Sequence, residues 1–155
     1  MSRLREADFY YGAILSTLLN NGVCPMLIEG GTDRRVYDCT TNKNEFRMFV
    51  KYRSLPINTK KEGYYSWQFV FSDKDIDEIK NFLSLEKDLR IGLVCGADKL
   101  SKSQFAVLQQ SNIEELIELG KTSITVSIMT GERCFRISIG GGRDNSMMVK
   151  SSIVY

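Results

Sequence analysis

The sequence predicts a single α+β domain over residues 1–155, with a central mixed β-sheet packed against about three helices. Two observations support this prediction. An amphipathic helix at the N-terminus is followed by a run of strands, a β-meander, rather than by a regular alternation of strands and helices. A chain of 155 residues with 43% hydrophobic and 26% charged residues also has the size and composition of one ordinary globular domain.

The N-terminal helix is predicted over residues 4–19. Its apolar residues recur at helical spacing on one face, and they are Leu4, Ala7, Tyr11, Ile14, Leu15 and Leu18. Asn20-Asn21-Gly22 ends the helix. A short apolar run at 25–28 predicts the first strand. The turn at 30–33 lacks the Lys-Ser/Thr pair and the following helix of a phosphate-binding loop.

Two adjacent strands at 35–40 and 46–52 carry most of the positive charge. They flank the polar turn 41–44, and the second alternates apolar with mainly charged residues, as a strand with one apolar face does. Residues 33–61 contain eight Lys or Arg and three acids, a net charge of +5. The whole chain carries +2, so the remainder carries −3.

The middle of the chain predicts further elements. After a polar loop at 53–63 comes a strand at 67–71, and Ser72 is a good N-cap for a helix at 73–84. The acids of that helix are expected on a solvated face, and they are Asp75, Asp77 and Glu78. The continuous apolar run 90–96 predicts a central strand covered on both faces.

The last third predicts a strand, a helix, a hairpin and a final strand. The strand lies at 105–108, and Ser111 with Glu114 has the pattern of a capping box for a helix that Gly120 ends. Alternation over 124–139 predicts the hairpin. The remaining features are a glycine turn at 140–142, with anion binding as its alternative, and a strand within 147–155.

Composition excludes several kinds of chemistry and location. The chain has no histidine, which excludes Ser-His-Asp and Cys-His catalysis in their ordinary forms. Its four cysteines are far apart, so we expect reduced thiols rather than a zinc site. The sequence has no window of about 18 apolar residues and no signal-peptide pattern. We therefore expect a cytoplasmic protein that does not cross a membrane.

Asp38 on one strand and Lys51 on the next are the residues that suggest catalysis. With them, the first half of the chain resembles the restriction-endonuclease-like PD-(D/E)XK superfamily, which begins with a helix and a three-strand meander. That family places an Asp on the second strand and an acid-x-Lys triplet on the third. The resemblance implies catalytic roles for Asp38 and Lys51, and Mg²⁺ bound by Asp38.

This sequence departs from the family motif at two positions. Phe49 stands where the motif has an acid, and Tyr37 stands before Asp38 where the motif has a proline. Mg²⁺ needs hard oxygen ligands, so another carboxylate, Glu29 or Glu45, would have to serve. We therefore expect a degenerate or absent nuclease site, and binding rather than catalysis.

The basic strands suggest a binding face formed by Arg35, Arg47, Phe49, Lys51 and Arg53. One hypothesis is a nucleic-acid-associated protein that binds DNA or RNA there, with bases stacked on aromatic rings. The alternative is a small interaction module, such as a regulator, inhibitor or complex subunit, that binds an acidic protein. Two plainer interpretations stay open: a solvated sheet edge, and an Asp38 that only pairs with Arg35 or Arg47.

Overall fold

A computed structural model describes residues 3–57, 61–153 and 155. The described chain contains three α-helices, α1 Glu6–Asn20, α2 Asp73–Leu83 and α3 Gln110–Glu118. Its strands are β1 Cys24–Glu29, β2 Arg35–Thr40, β3 Glu45–Arg53, β4 Tyr64–Val70, β5 Asp88–Cys95, β6 Gln104–Leu108, β7 Ser123–Met129, β8 Cys134–Ser138 and β9 Ser146–Lys150. Single 3₁₀ turns lie at Leu100–Lys102 and Arg143–Asn145.

The strands form two sheets. Sheet A has the order β1-β2-β3-β5-β6, and it is mixed because β3 and β5 run parallel while the other neighbours are antiparallel. Sheet B is antiparallel, with the order β4-β7-β8-β9. The predicted central mixed sheet, N-terminal helix and meander are therefore confirmed. The second sheet was not predicted, because alternation identifies strands but not their partners.

The two faces of sheet A contact different layers. Helix α1 covers one face, where Tyr11 and Leu18 pack with Tyr37 and Met48. The other face packs against α2, α3 and sheet B in a larger core. Strand β5 lies between β3 and β6, and Leu93 in this strand is fully buried, as the apolar run predicted.

The ends of β3 and β5 are held together by a close backbone approach. The amide of Gly96 donates to the carbonyl of Arg53 at 2.8 Å, and the Trp67 indole donates to the carbonyl of Gly96 at 2.8 Å. A Cβ at position 96 would lie 2.4 Å from the Ser54 carbonyl oxygen, so only glycine fits. This contact fixes the carboxyl edge of sheet A.

Several predicted boundaries are corrected. Helix α3 is capped by Gln109, whose amide donates to the Asn112 carboxamide, so Ser111 is inside the helix rather than its cap. The final strand ends at Lys150, and Val154 lies outside the described residues, as do residues 58–60 of the polar loop. Lys60, one of the eight Lys or Arg residues counted in the segment 33–61, is one of these undescribed residues.

The predicted cap of α2, the predicted end of α3 and the predicted β7–β8 hairpin are confirmed. Ser72 caps α2, Gly120 follows α3 with φ +69°, and the β7–β8 hairpin forms. The glycines 140–142 all have positive φ in a turn closed by the Asn145 amide, which donates to the Gly140 carbonyl. All four cysteines are free thiols. No helix in the described part of the chain is long and apolar enough to cross a membrane.

We expect Leu93→Asp to unfold the protein. An unpaired carboxylate at this fully buried position costs several kcal/mol, which is comparable to the whole stability of a domain. Thr40→Asp, at an exposed position of the same sheet, is the matched control and should melt near wild type. Circular dichroism melts of both variants test the layer arrangement, and a folded Leu93→Asp variant would contradict it.

Candidate functional site

Asp38 forms an ion pair with Arg47 of the neighbouring strand β3. It faces Arg47 in the β2–β3 register, and the Arg47 Nε and Nη2 atoms donate to the two carboxylate oxygens at 2.8 and 3.1 Å. Lys87 lies 3.4 Å away on the same carboxylate. The Arg47 hydrogen bond holds the pKa of Asp38 below its ordinary value, although partial burial opposes it. The interpretation of Asp38 as an ion-pair partner of Arg47 is confirmed.

Lys51 does not meet Asp38. It lies four residues beyond Arg47 on β3, roughly 13 Å along the strand. Its ammonium instead donates to Asp75 of α2 at 3.0 Å. The two residues that the family resemblance pairs are therefore in separate ion pairs in this structure.

The predicted basic face is largely covered. Strand β3 is the middle strand of sheet A, so the interpretation of it as a solvated edge is wrong. The side chains of Arg47 and Lys51 are 18% and 12% exposed, and Arg47 lies over the Phe82 ring of α2. Of the three cations Arg47, Lys51 and Arg53, only Arg53 has an exposed side chain.

The prediction is also wrong for two other residues of the binding face, Phe49 and Arg35. Phe49 is fully buried, so it is not available to stack on a base or to anchor a partner. Arg35 lies on the opposite face of sheet A, where it contacts Asp8 and the Tyr11 ring of α1. The alternation of side chains along β3 correctly predicted that Arg47, Lys51 and Arg53 lie on one face of the strand. It does not show which elements pack against that face.

A buried arginine that the sequence analysis did not single out organises the site. Arg34 is 8% exposed, and its guanidinium contacts three carboxylates. Nη2 lies 2.9 Å from Glu29, Nη1 lies 3.0 Å from Asp75, and Nη1 also pairs with Glu78. We call these four residues and Lys51 the Arg34 cluster.

Local structure explains how the cluster assembles. Glu29 ends β1 after an irregularity in the β1–β2 register, and Arg34 immediately precedes β2. Asp75 and Glu78 are three residues apart on one face of α2. Asp75 also accepts the Ser72 amide at 3.0 Å, and its own amide donates to the Ser72 hydroxyl. The expectation that Asp75 is solvated is wrong, because it is 4% exposed.

The carboxylates of the cluster titrate differently. Burial raises the pKa of Glu78, and a hydrogen bond with Glu29 raises it further. Burial also acts to raise the pKa of Asp75, but the Ser72 amide and the Lys51 ammonium outweigh it and lower that pKa. Asp75 is therefore a stable anion, whereas Glu78 holds its proton to higher pH than an ordinary glutamic acid.

All members of the cluster except Glu78 line a cleft of about 850 Å³ at the carboxyl ends of β1 and β3. Lys51, Arg53 and Ser54 line it from β3, and the first turn of α2 lines it with Lys74 and Asp75. Its exposed cations are Arg53 and Lys74, and its exposed acids include Glu6 and Asp33. The cleft is polar and close to electrically neutral.

The described residues contain no group of three or more His, Cys, Asp or Glu side chains arranged to hold a metal ion. Neither of the two carboxylates proposed to replace the missing acid lies opposite Asp38 in the strand register. Glu29 is paired with Arg34, and Glu45 lies exposed at the opposite end of β3 from the cleft.

Comparisons with family models, curated proteins and solved structures found no match to the chain.

We expect Glu78→Gln to flatten the pH dependence of stability. The folded-state pKa of Glu78 is raised, so its contribution to stability is fully present below about pH 4.5 and is lost as the pH rises through the folded pKa. Wild type should thus lose more stability than the variant between pH 4.5 and 7, in urea titrations. Asp77→Asn, on the exposed face of α2, should keep the wild-type dependence, and an equal effect of both variants would contradict this assignment.

Proposed function

We propose that the chain is a nucleic-acid-associated binding protein of restriction-endonuclease-like architecture, without a metal nuclease site at Asp38. The cleft at the carboxyl end of β3 carries this proposal, because two exposed cations, Arg53 and Lys74, line it. The order of elements supports it as well: α1, the antiparallel meander β1–β3, then α2 and the parallel strand β5. Strand β4 is inserted between β3 and α2.

Binding in the cleft would rely on Arg53 and Lys74. Both are exposed, and they come from the two elements that form adjacent walls, β3 and α2. Such cations attract phosphate groups without reading sequence. Glu6 and Asp33 reduce the positive potential, so we expect weak, salt-sensitive binding, with a Kd on the order of 10⁻⁴–10⁻⁶ M.

We expect no strong Mg²⁺-dependent cleavage, because the side chains that would bind the metal are engaged elsewhere or missing. Both Asp38 oxygens accept hydrogen bonds from Arg47, and the buried Phe49 provides no ligand in place of the acid. A divalent cation at Asp38 would therefore have to displace a guanidinium and find its other ligands elsewhere.

We expect the double variant Arg53→Ala/Lys74→Ala to weaken binding of fluorescent DNA and RNA oligonucleotides. Each lost phosphate contact should reduce the slope of log affinity against log salt by about one unit. Thermal stability should hardly change, because exposed charges contribute little to folding. Lys43→Ala, which removes an exposed charge at the opposite end of β3, is the control in the same anisotropy assay.

Two outcomes would contradict the proposal. One is an affinity that is the same in the double variant, in wild type and in the Lys43→Ala control. The other is Mg²⁺-dependent cleavage by wild type that both Asp38→Ala and Lys51→Ala abolish, since this would restore the catalytic roles of those residues.

One observation favours a second function, that of an interaction module. Among the described residues β1 pairs only with β2, so β1 is an edge strand of sheet A. Its consecutive side chains Met26, Leu27 and Ile28 are 61%, 55% and 44% exposed. Exposed apolar edges are sites of strand addition. A second copy of the chain fits this edge, because antiparallel pairing of β1 with itself makes a closed, two-fold symmetric interface.

For this second function we expect a dimer whose fraction rises with concentration in sedimentation experiments. Leu27→Lys should shift it to monomer by placing a charge on the pairing edge. Met148→Lys, at an exposed apolar position of sheet B, should leave the dimer unchanged. A monomer at every concentration would exclude self-association through β1.

A further inference from the structure

The exposed charges that line the cleft are separated by sign onto two sides. Arg53 and Lys74 lie on the side towards α2, the cationic side, and Glu6 and Asp33 lie on the side towards α1, the acidic side. We propose that the cleft binds one unpaired nucleotide of a single strand, with its phosphate on the cationic side and the amino group of its base on the acidic side. This inference rests on the proposed function and adds to it a preference for bases that carry an amino group.

Local structure accounts for the acidic side. Glu6 is the first residue of α1, and the hydroxyl of Tyr11 in the same helix donates to the Thr32 carbonyl at 2.9 Å. This hydrogen bond holds the turn that contains Asp33 against α1. Burial raises the pKa of Tyr52, which also lines the cleft, and the nearby charges of Glu6 and Asp33 raise it further. Both carboxylates therefore lie close to one aromatic side chain of the cleft.

The cationic side comes from the opposite face of sheet A. Tyr52 stacks on Tyr10 of α1, with ring centres 4.8 Å apart, so the next residue, Arg53, points to the other face of β3. That is the face on which Lys51 reaches α2. Lys74 lies in the first turn of α2.

The less exposed charges of the cleft are already paired with one another. Arg34 forms ion pairs with Glu29 and Asp75, and Lys51 pairs with Asp75 as well. In the part of the chain that the structure describes, no ion pair engages any of the four exposed charges on the two sides. These four charges are therefore available to a ligand that has an anionic group at one end and hydrogen-bond donors at the other.

The chemistry of the acidic side selects the base. Ionised carboxylates accept hydrogen bonds and donate none, so Glu6 and Asp33 favour a donor such as the amino group of cytosine. Uracil carries a carbonyl oxygen in place of that amino group, and two acceptors repel each other. Bases are read in this way when they are unpaired and splayed out of the strand. The cleft volume of about 850 Å³ is within the range of about 300–1,000 Å³ that is typical of sites for small ligands.

The test compares single-stranded oligo(dC) with oligo(dU) by anisotropy at low salt. Wild type should bind oligo(dC) about tenfold more tightly. Glu6→Gln/Asp33→Asn should bring the ratio of the two affinities close to one, because a carboxamide both donates and accepts. Glu45→Gln, at an exposed position near the opposite end of β3, is the matched control and should keep the wild-type ratio. Arg53→Ala/Lys74→Ala should weaken binding of both oligonucleotides and preserve the ratio.

The possible failures are distinguishable. Equal affinities of wild type for the two oligonucleotides, or an unchanged ratio in Glu6→Gln/Asp33→Asn, would overturn this inference and leave the proposed function standing. A dC–dG duplex that binds as tightly as oligo(dC) would overturn it as well. No binding of any oligonucleotide would overturn both proposals. If the double variant does not fold, Asp33→Asn alone, in an exposed turn, is expected to lower the ratio.

Discussion

One guanidinium, that of Arg34, joins the elements that form the cleft. It is buried between the β1–β2 connection and α2, and its ion pairs reach Glu29, Asp75 and Glu78. Asp75, the most buried of these carboxylates, also accepts hydrogen bonds from the Ser72 amide and the Lys51 ammonium. Breaking such a pair on one side typically costs about 3–5 kcal/mol. The position of α2 over sheet A thus depends on a polar contact as well as on the apolar core.

The position of α2 explains why the most basic segment of the chain does not form an open cationic surface. Arg47 and Lys51 point to the face that α2 covers, and each is paired with a carboxylate there. Charge density along the sequence therefore overstates the charge that a ligand would meet. Of the three cations of β3, Arg53 is the exposed one, and it lines the cleft beside Lys74. Any anionic ligand of this face would approach the end of the strand rather than its side.

Strand positions were predictable because they depend on local pattern. The alternation in β3 and the apolar run of β5 required no knowledge of their partners, and the polar turn between β2 and β3 brought Asp38 opposite Arg47. The Arg34 cluster was not predictable in this way. Asp75 and Glu78 look like ordinary solvated acids of a capped helix, because helical periodicity does not show that an arginine from another element reaches them. The separation of the strands into two sheets was not predictable either, because it depends on pairing between strands that are far apart in the sequence.

The most direct test of this account is to observe the Arg34 guanidinium itself by NMR in protein labelled with ¹⁵N. A guanidinium held by carboxylates of β1 and α2 rotates and exchanges slowly with water. We predict resolved Nη proton signals for Arg34 that Asp75→Asn perturbs, while the exposed Arg53 gives averaged signals in the same spectrum. Averaged, rapidly exchanging Nη signals for Arg34 would contradict the central claim that this buried cation holds the cleft together.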